Sequence, residues 1–107
     1  ELAVYEITGP LFFGAADRIN QIETREETKC LVLRMRAVPA VDSTAMNSMV
    51  ALYERCQKNG VTLILSHVNE QPMRVMEKSG FVDMVGREQF CQNIEAALDH
   101  ADEVLEK

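Results

Sequence analysis

A chain of 107 residues has room for one domain and one hydrophobic core. Apolar residues at 47% and charged residues at 26% are the balance of an ordinary globular domain, which excludes a disordered, collagen-like or disulfide-stapled chain. The formal net charge of −6 argues against nucleic acid and anionic lipid as general partners, because both attract basic surfaces.

Leu2 to Ile7 reads as a strand, with Val4 and Tyr5 adding β-propensity. Gly9-Pro10 punctuates the chain, and the apolar run Leu11 to Phe13 predicts a second strand paired with the first in a hairpin. Gly14 allows a sharp change of direction into a short helix over Ala15 to Thr24, with Ala15, Ala16, Ile19 and Ile22 on one face. Cys30 to Met35 is almost continuously apolar, the mark of a strand covered on both faces. A turn through Pro39 leads to a longer helix from about Ser43 to Asn59. Met46, Met49, Val50, Tyr53 and Cys56 form its inner stripe, and Asn47, Ser48, Glu54, Arg55 and Lys58 its outer face. Asn59-Gly60 is a helix stop.

Val61 to Leu65 predicts a further buried strand. Pro72 suits the first turn of the next helix, which carries Met73 and Met76 inward and ends at Gly80. Val82 to Val85 predicts a last short strand, and Glu88 to Leu105 a long amphipathic helix built on Phe90, Ile94, Ala97, Leu98, Ala101, Val104 and Leu105. This alternation implies an α/β fold with a partly parallel sheet and one antiparallel pair at the hairpin. Ligands of open α/β sheets sit beside strand carboxyl ends, here the loops Ala37 to Asp42 and Ser66 to Pro72.

Cys30, Cys56 and Cys91 are odd in number and lack metal-ligand or redox spacing, so core thiols and a reducing compartment are expected. No stretch approaches the roughly 20 apolar residues of a membrane-spanning helix. The chain opens with Glu1 rather than Met, which predicts a piece cut from a longer protein.

The most informative motif is Asp42-Ser43-Thr44-Ala45, joining a buried strand to a helix. Asp42 or Ser43 can cap that helix by accepting its free N–H groups. The functional alternative uses the same place: a phosphate on Ser43 or Thr44 would gain from the helix dipole and be repelled by Asp42. His67 closes a strand near the same cleft, and His100 sits on the acidic last helix. Two histidines give little support to a Ser/His or Cys/His pair, and no phosphate-binding glycine loop is present. No metal site and no cofactor are expected. Met46, Met49, Met73 and Met76 fit either core packing or an adaptable protein-binding face.

The run Gly9-Pro10-Leu11-Phe12-Phe13-Gly14-Ala15-Ala16 resembles the hairpin and helix start of STAS domains in SulP-type anion transporters. Val41-Asp42-Ser43-Thr44-Ala45 resembles the strand-to-helix loop these share with anti-sigma factor antagonists, and the helix ending Ser79-Gly80-Phe81 also fits. The resemblance implies a single STAS domain over residues 1–107, with a mixed sheet of four or five strands and about four helices. It implies a non-enzymatic regulatory and interaction domain on the cytoplasmic side of the membrane. The transporter's transmembrane domain, cytoplasmic regulatory proteins and a second copy are the partners it suggests. A stand-alone anti-sigma factor antagonist phosphorylated at Thr44 or Ser43 is the alternative, although that branch usually has Gly where Ala45 stands. A nucleotide- or anion-sensing module is the third. Asp42, Ser43 and Thr44 are the expected switch loop, and Asn47, Ser48, Glu54 and Arg55 the expected partner face.

Overall fold

The computed structural model describes residues 2–12 and 16–106. Its elements run β1 (Leu2–Thr8), α1 (Ala16–Asn20), β2 (Cys30–Ala37), α2 (Ser43–Lys58), β3 (Thr62–Ser66), α3 (Glu70–Lys78), α4 (Phe81–Val85), β4 (Phe90–Cys91) and α5 (Ile94–Leu105). A single 3-10 turn, Arg87–Gln89, precedes β4. The four strands form one sheet in the order β1-β2-β3-β4, every neighbouring pair parallel.

This is the expected α/β architecture with four strands, but the antiparallel pair is absent among the described residues. Leu11 makes a single parallel bridge to Val41 instead of returning along β1. The left-handed backbone of Gly9 (φ 82°) turns the chain across the carboxyl end of β2, where the Gly9 N–H donates to the Ala37 carbonyl. Phe13, Gly14 and Ala15, the end of the expected second strand and start of the expected helix, lie outside the described residues.

Consecutive parallel neighbours joined by right-handed crossovers place the intervening helices on one face of the sheet. The side chains agree. Leu31, Leu33 and Met35 of β2 and Leu63 and Leu65 of β3 pack with Ala45, Met46, Met49, Leu52 and Cys56 of α2, Met76 of α3, and Phe81, Val82 and Val85 of α4. The alternate residues Cys30, Val32 and Ile64 face α5, which meets them with Ala97 and Ala101. Alanines at i, i+4 let that helix lie close on the sheet. Burial from both sides is why β2 reads as an unbroken apolar run.

Two expectations fail at the carboxyl-terminal end. Val82 to Val85 belongs to α4 rather than a strand, because Gly80 at φ 83° redirects the chain and Phe81, Val82 and Val85 then share one buried helical face. The last helix starts at Ile94 rather than Glu88. The Asn93 side chain caps it by accepting from the Ala96 N–H at 2.8 Å. Upstream of that cap, Phe90 and Cys91 pair with Leu65 and Ser66, and Phe90 meets Phe81 edge-to-face at 6.4 Å. Met46, Met49 and Met76 are buried and Met73 packs against the same core, so these methionines serve packing.

Candidate functional site: the strand-to-helix loop before α2

The loop from Ala37 to Asp42 leaves β2 at its carboxyl end and is fastened on two sides. On one side the Leu11 N–H donates to the Ala40 carbonyl, and the Asp42 N–H donates to the Leu11 carbonyl. On the other side α3 supplies two amide side chains. Gln71 accepts from the Val41 N–H through Oε1 at 2.8 Å and donates to the Val41 carbonyl through Nε2 at 3.0 Å. Asn69 donates to the carbonyls of Arg36 and Val38 at 3.0 and 2.9 Å. The buried polar backbone of an irregular segment is thereby satisfied.

Asp42 is the helix cap. Its backbone is extended (φ −104°, ψ 172°) and its Oδ1 accepts from the Ala45 N–H at 2.8 Å. The capping expectation for Asp42 therefore holds, and Ser43 and Thr44 are left exposed in the first turn. Ala45 is buried beneath them. Phe12, next in the chain to the bridge between Leu11 and Val41, is 49% exposed. Removing the cap by Asp42→Ala is expected to cost about 1 kcal/mol. A thermal melt should show the midpoint fall by about 4–8 °C for a domain of this size.

The expected partner face is only partly on the surface. Asn47 and Glu54 are exposed. Ser48 is buried, because it stands between Ala45 and Leu52 on the inner side of α2. Arg55 is half-buried and turned to α1, donating to the carbonyls of Ile19 and Ile22 at 3.4 and 3.3 Å. A cation there satisfies the free carbonyls at a helix end. The outer face of α2 runs instead through Thr44, Asn47, Ala51, Glu54 and Lys58, at helical spacing.

His67 is exposed, in left-handed backbone (φ 54°), and its N–H donates to the Cys91 carbonyl. It shapes the turn between β3 and α3. A groove of about 410 Å³ opens there, lined by His67, Asn69, Glu70, Met73, Phe90 and Gln92 among others. His100 bonds through Nε2 to the Gln89 Oε1 at 2.8 Å, tying α5 to the 3-10 turn. Among the described residues no group of three or more His, Cys, Asp or Glu could hold a metal. Cys30 and Cys56 are buried and Cys91 partly so, all as free thiols; burial pushes the Cys30 thiol up to about 11 and raises the other two. Raised thiols are poor nucleophiles at neutral pH.

The site is thus a capped helix rising from an externally braced loop at the carboxyl end of a parallel α/β sheet. The STAS domain family model matches residues 1–100, and the chain belongs to that family. It is 38% identical to a sulfate transporter family protein from Wolinella succinogenes, with a TM-score of 0.88 over 99% of this chain and 88% of that one. The SulP transporter STAS domain of Vibrio cholerae is 30% identical, with a TM-score of 0.82 over 99% of this chain and 84% of that one. Sulfate transporter 3.2 of Arabidopsis thaliana is 24% identical over 118 residues, which cover 97% of this chain and 18% of the plant protein. The chain spans less than a fifth of the length of the curated relatives it matches. No described helix is long and apolar enough to cross a membrane.

Asn69 and Gln71 are the site residues that sequence reasoning misses. They sit at a helix start, where polar residues are ordinary, and no local pattern aims them at a loop about thirty residues earlier. The one available signal is two amide side chains spaced i, i+2 beside a loop at a strand carboxyl end.

Proposed function

We propose that this domain is the non-catalytic regulatory and interaction module of a SulP-type anion transporter, on the cytoplasmic side and joined to a membrane-embedded transport domain. Family membership supports this reading, as do the curated relatives, sulfate transporters matched over less than a fifth of their length. The observation that carries the site assignment is the exposed pair Ser43 and Thr44, in the first turn of a helix whose cap and preceding loop are rigidly held. A partner meeting α2 would find Thr44, Asn47 and Glu54 in line.

The test is labelled sulfate uptake by cells expressing the full-length parent protein. Asn47→Arg or Thr44→Glu is expected to change uptake about threefold or more at constant membrane abundance, because a new charge is desolvated against the partner. Uptake equal to wild type in both variants would sink the assignment.

The two exposed hydroxyls also favour a second reading, a phosphorylation switch of the anti-sigma factor antagonist type. A phosphate there would face the capping Asp42 and repel it, loosening the first turn of α2. Mass spectrometry of the protein purified from its own host decides the matter: an unmodified Ser43–Thr44 peptide under every growth condition removes this reading.

A further inference from the structure

The loop that follows α1 and the last two turns of α2 enclose a cavity of about 320 Å³. α2 starts from the carboxyl end of β2 and ends beside the start of β3, so the cavity lies at the other end of α2 from Ser43 and Thr44. A helix rises 1.5 Å per residue, which sets Thr44 and Asn59 about 22 Å apart. The floor is apolar, made of Ile22, Leu52 and Cys56, all buried. The wall carries two opposite charges. Arg55 is held on the α1 side, where its Nη2 donates to the carbonyls of Ile19 and Ile22, and Ile22 itself lines the cavity. These bonds fix the guanidinium and occupy one of its three nitrogens. Nη1 and Nε have no protein partner among the described residues. Glu23, next in the chain to Ile22, lines the same cavity and is exposed.

The ion pairs among the described residues are Arg74–Glu70 and Arg87–Glu77, so Arg55 and Glu23 share a cavity without pairing with each other. A cation and an anion set apart over an apolar floor select by charge. A simple anion meets the like charge of Glu23, and a simple cation that of Arg55. A molecule that carries both charges satisfies both walls. The guanidinium fork matches a carboxylate, and an ammonium needs acceptors, which the Glu23 carboxylate supplies. Asn20 and Asn59 also line the cavity, and their amides can donate to one end and accept from the other. Ligand cavities run from about 300 to 1,000 Å³, so this one, at the lower end, suits a small metabolite.

We propose that this cavity binds a small zwitterion, an α-amino acid with an aliphatic side chain. Arg55 receives its carboxylate, Glu23 receives its ammonium, and its side chain lies on Ile22 and Leu52. Bound there, the ligand bridges the end of α2 and the loop that follows α1. The site is separate from the strand-to-helix loop, and it does not depend on what docks at Ser43 and Thr44.

The experiment titrates the ¹⁵N-labelled domain with L-leucine. Two analogues serve as comparison probes: 4-methylpentanoate, which lacks the ammonium, and 3-methylbutylamine, which lacks the carboxylate. L-leucine is expected to shift amides of residues 20–24 and 52–59, and each analogue to bind about fivefold more weakly or worse. Arg55→Gln should weaken L-leucine by at least as much. Glu23→Gln should weaken L-leucine about fivefold and leave 4-methylpentanoate unchanged, a split that only a two-charge site produces. Glu103→Gln, the same charge change on α5, should alter neither. Because Glu23 is exposed, its variant keeps the test valid if the Arg55 change unfolds the domain. Absence of shifts with L-leucine, shifts elsewhere, equal binding of either analogue, or equal weakening by Glu103→Gln would each overturn the proposal.

Discussion

Phe81→Ala is expected to destabilise the domain by about 3–5 kcal/mol, as aromatic truncations in closed cores do. Phe81 is fully buried and heads the largest of the buried side chains. It stands where α4 meets the sheet and packs edge-on against Phe90, the residue that fixes β4 beside Leu65. Truncation therefore opens a cavity and removes the ring contact that holds the shortest strand. Against a total stability of about 5–15 kcal/mol for an ordinary domain, such a loss approaches unfolding. Denaturant titration checks it: the midpoint should fall steeply with little change in slope. A loss below about 1 kcal/mol would mean that β4 and α4 are not cooperatively packed. Phe81→Leu, which keeps most of the volume, should cost less than half as much.

Gln71→Leu is the second large effect. The leucine keeps the bulk of the side chain and removes both bonds to Val41, whose own side chain is buried. A buried polar group left unpartnered costs about 1–3 kcal/mol, and two groups are released here. Because Gln71 is itself only half-buried, water takes over part of the task, and the expected loss is about 2 kcal/mol. Hydrogen exchange is the discriminating readout. The Val41 amide should lose protection well before the amides of β2 and β3, because the loop opens locally while the sheet persists. Unchanged Val41 protection would show that the bridge to Leu11 holds the loop unaided. The functional consequence follows from geometry: a looser loop leaves Asp42, and so the start of α2, less firmly placed.

Much of the molecule is legible from local pattern. β2 and β3 announce themselves as unbroken apolar runs because both faces are covered. α2 shows its period, its Asn59-Gly60 stop and its Asp42 cap, because capping and helical spacing are interactions within a few residues. The errors share one physical origin. Leu11 has the composition of a strand, but its partner was decided by which backbone groups lay free at the end of β2, and Val41 took that place. Val82 to Val85 has β-propensity, yet burying Phe81, Val82 and Val85 together requires a helical turn. Ser48 looks like a surface residue by type, and its burial follows from the rotation of α2 against the sheet.

The candidate site divides in the same way. Its chemistry, a carboxylate and two hydroxyls at a helix start, belongs to three adjacent residues and was settled by the sequence itself. Membership of the STAS family was legible there too, and the family model matches residues 1–100. What the tertiary structure alone decided is how that chemistry is held and what surrounds it: the Gln71 and Asn69 amides on the loop, and the turn of Arg55 toward α1. These depend on residues up to about thirty-six positions apart. Capping and periodicity act over one or two turns of chain, whereas a side chain's partner across the fold is chosen only once the sheet has set its order and register.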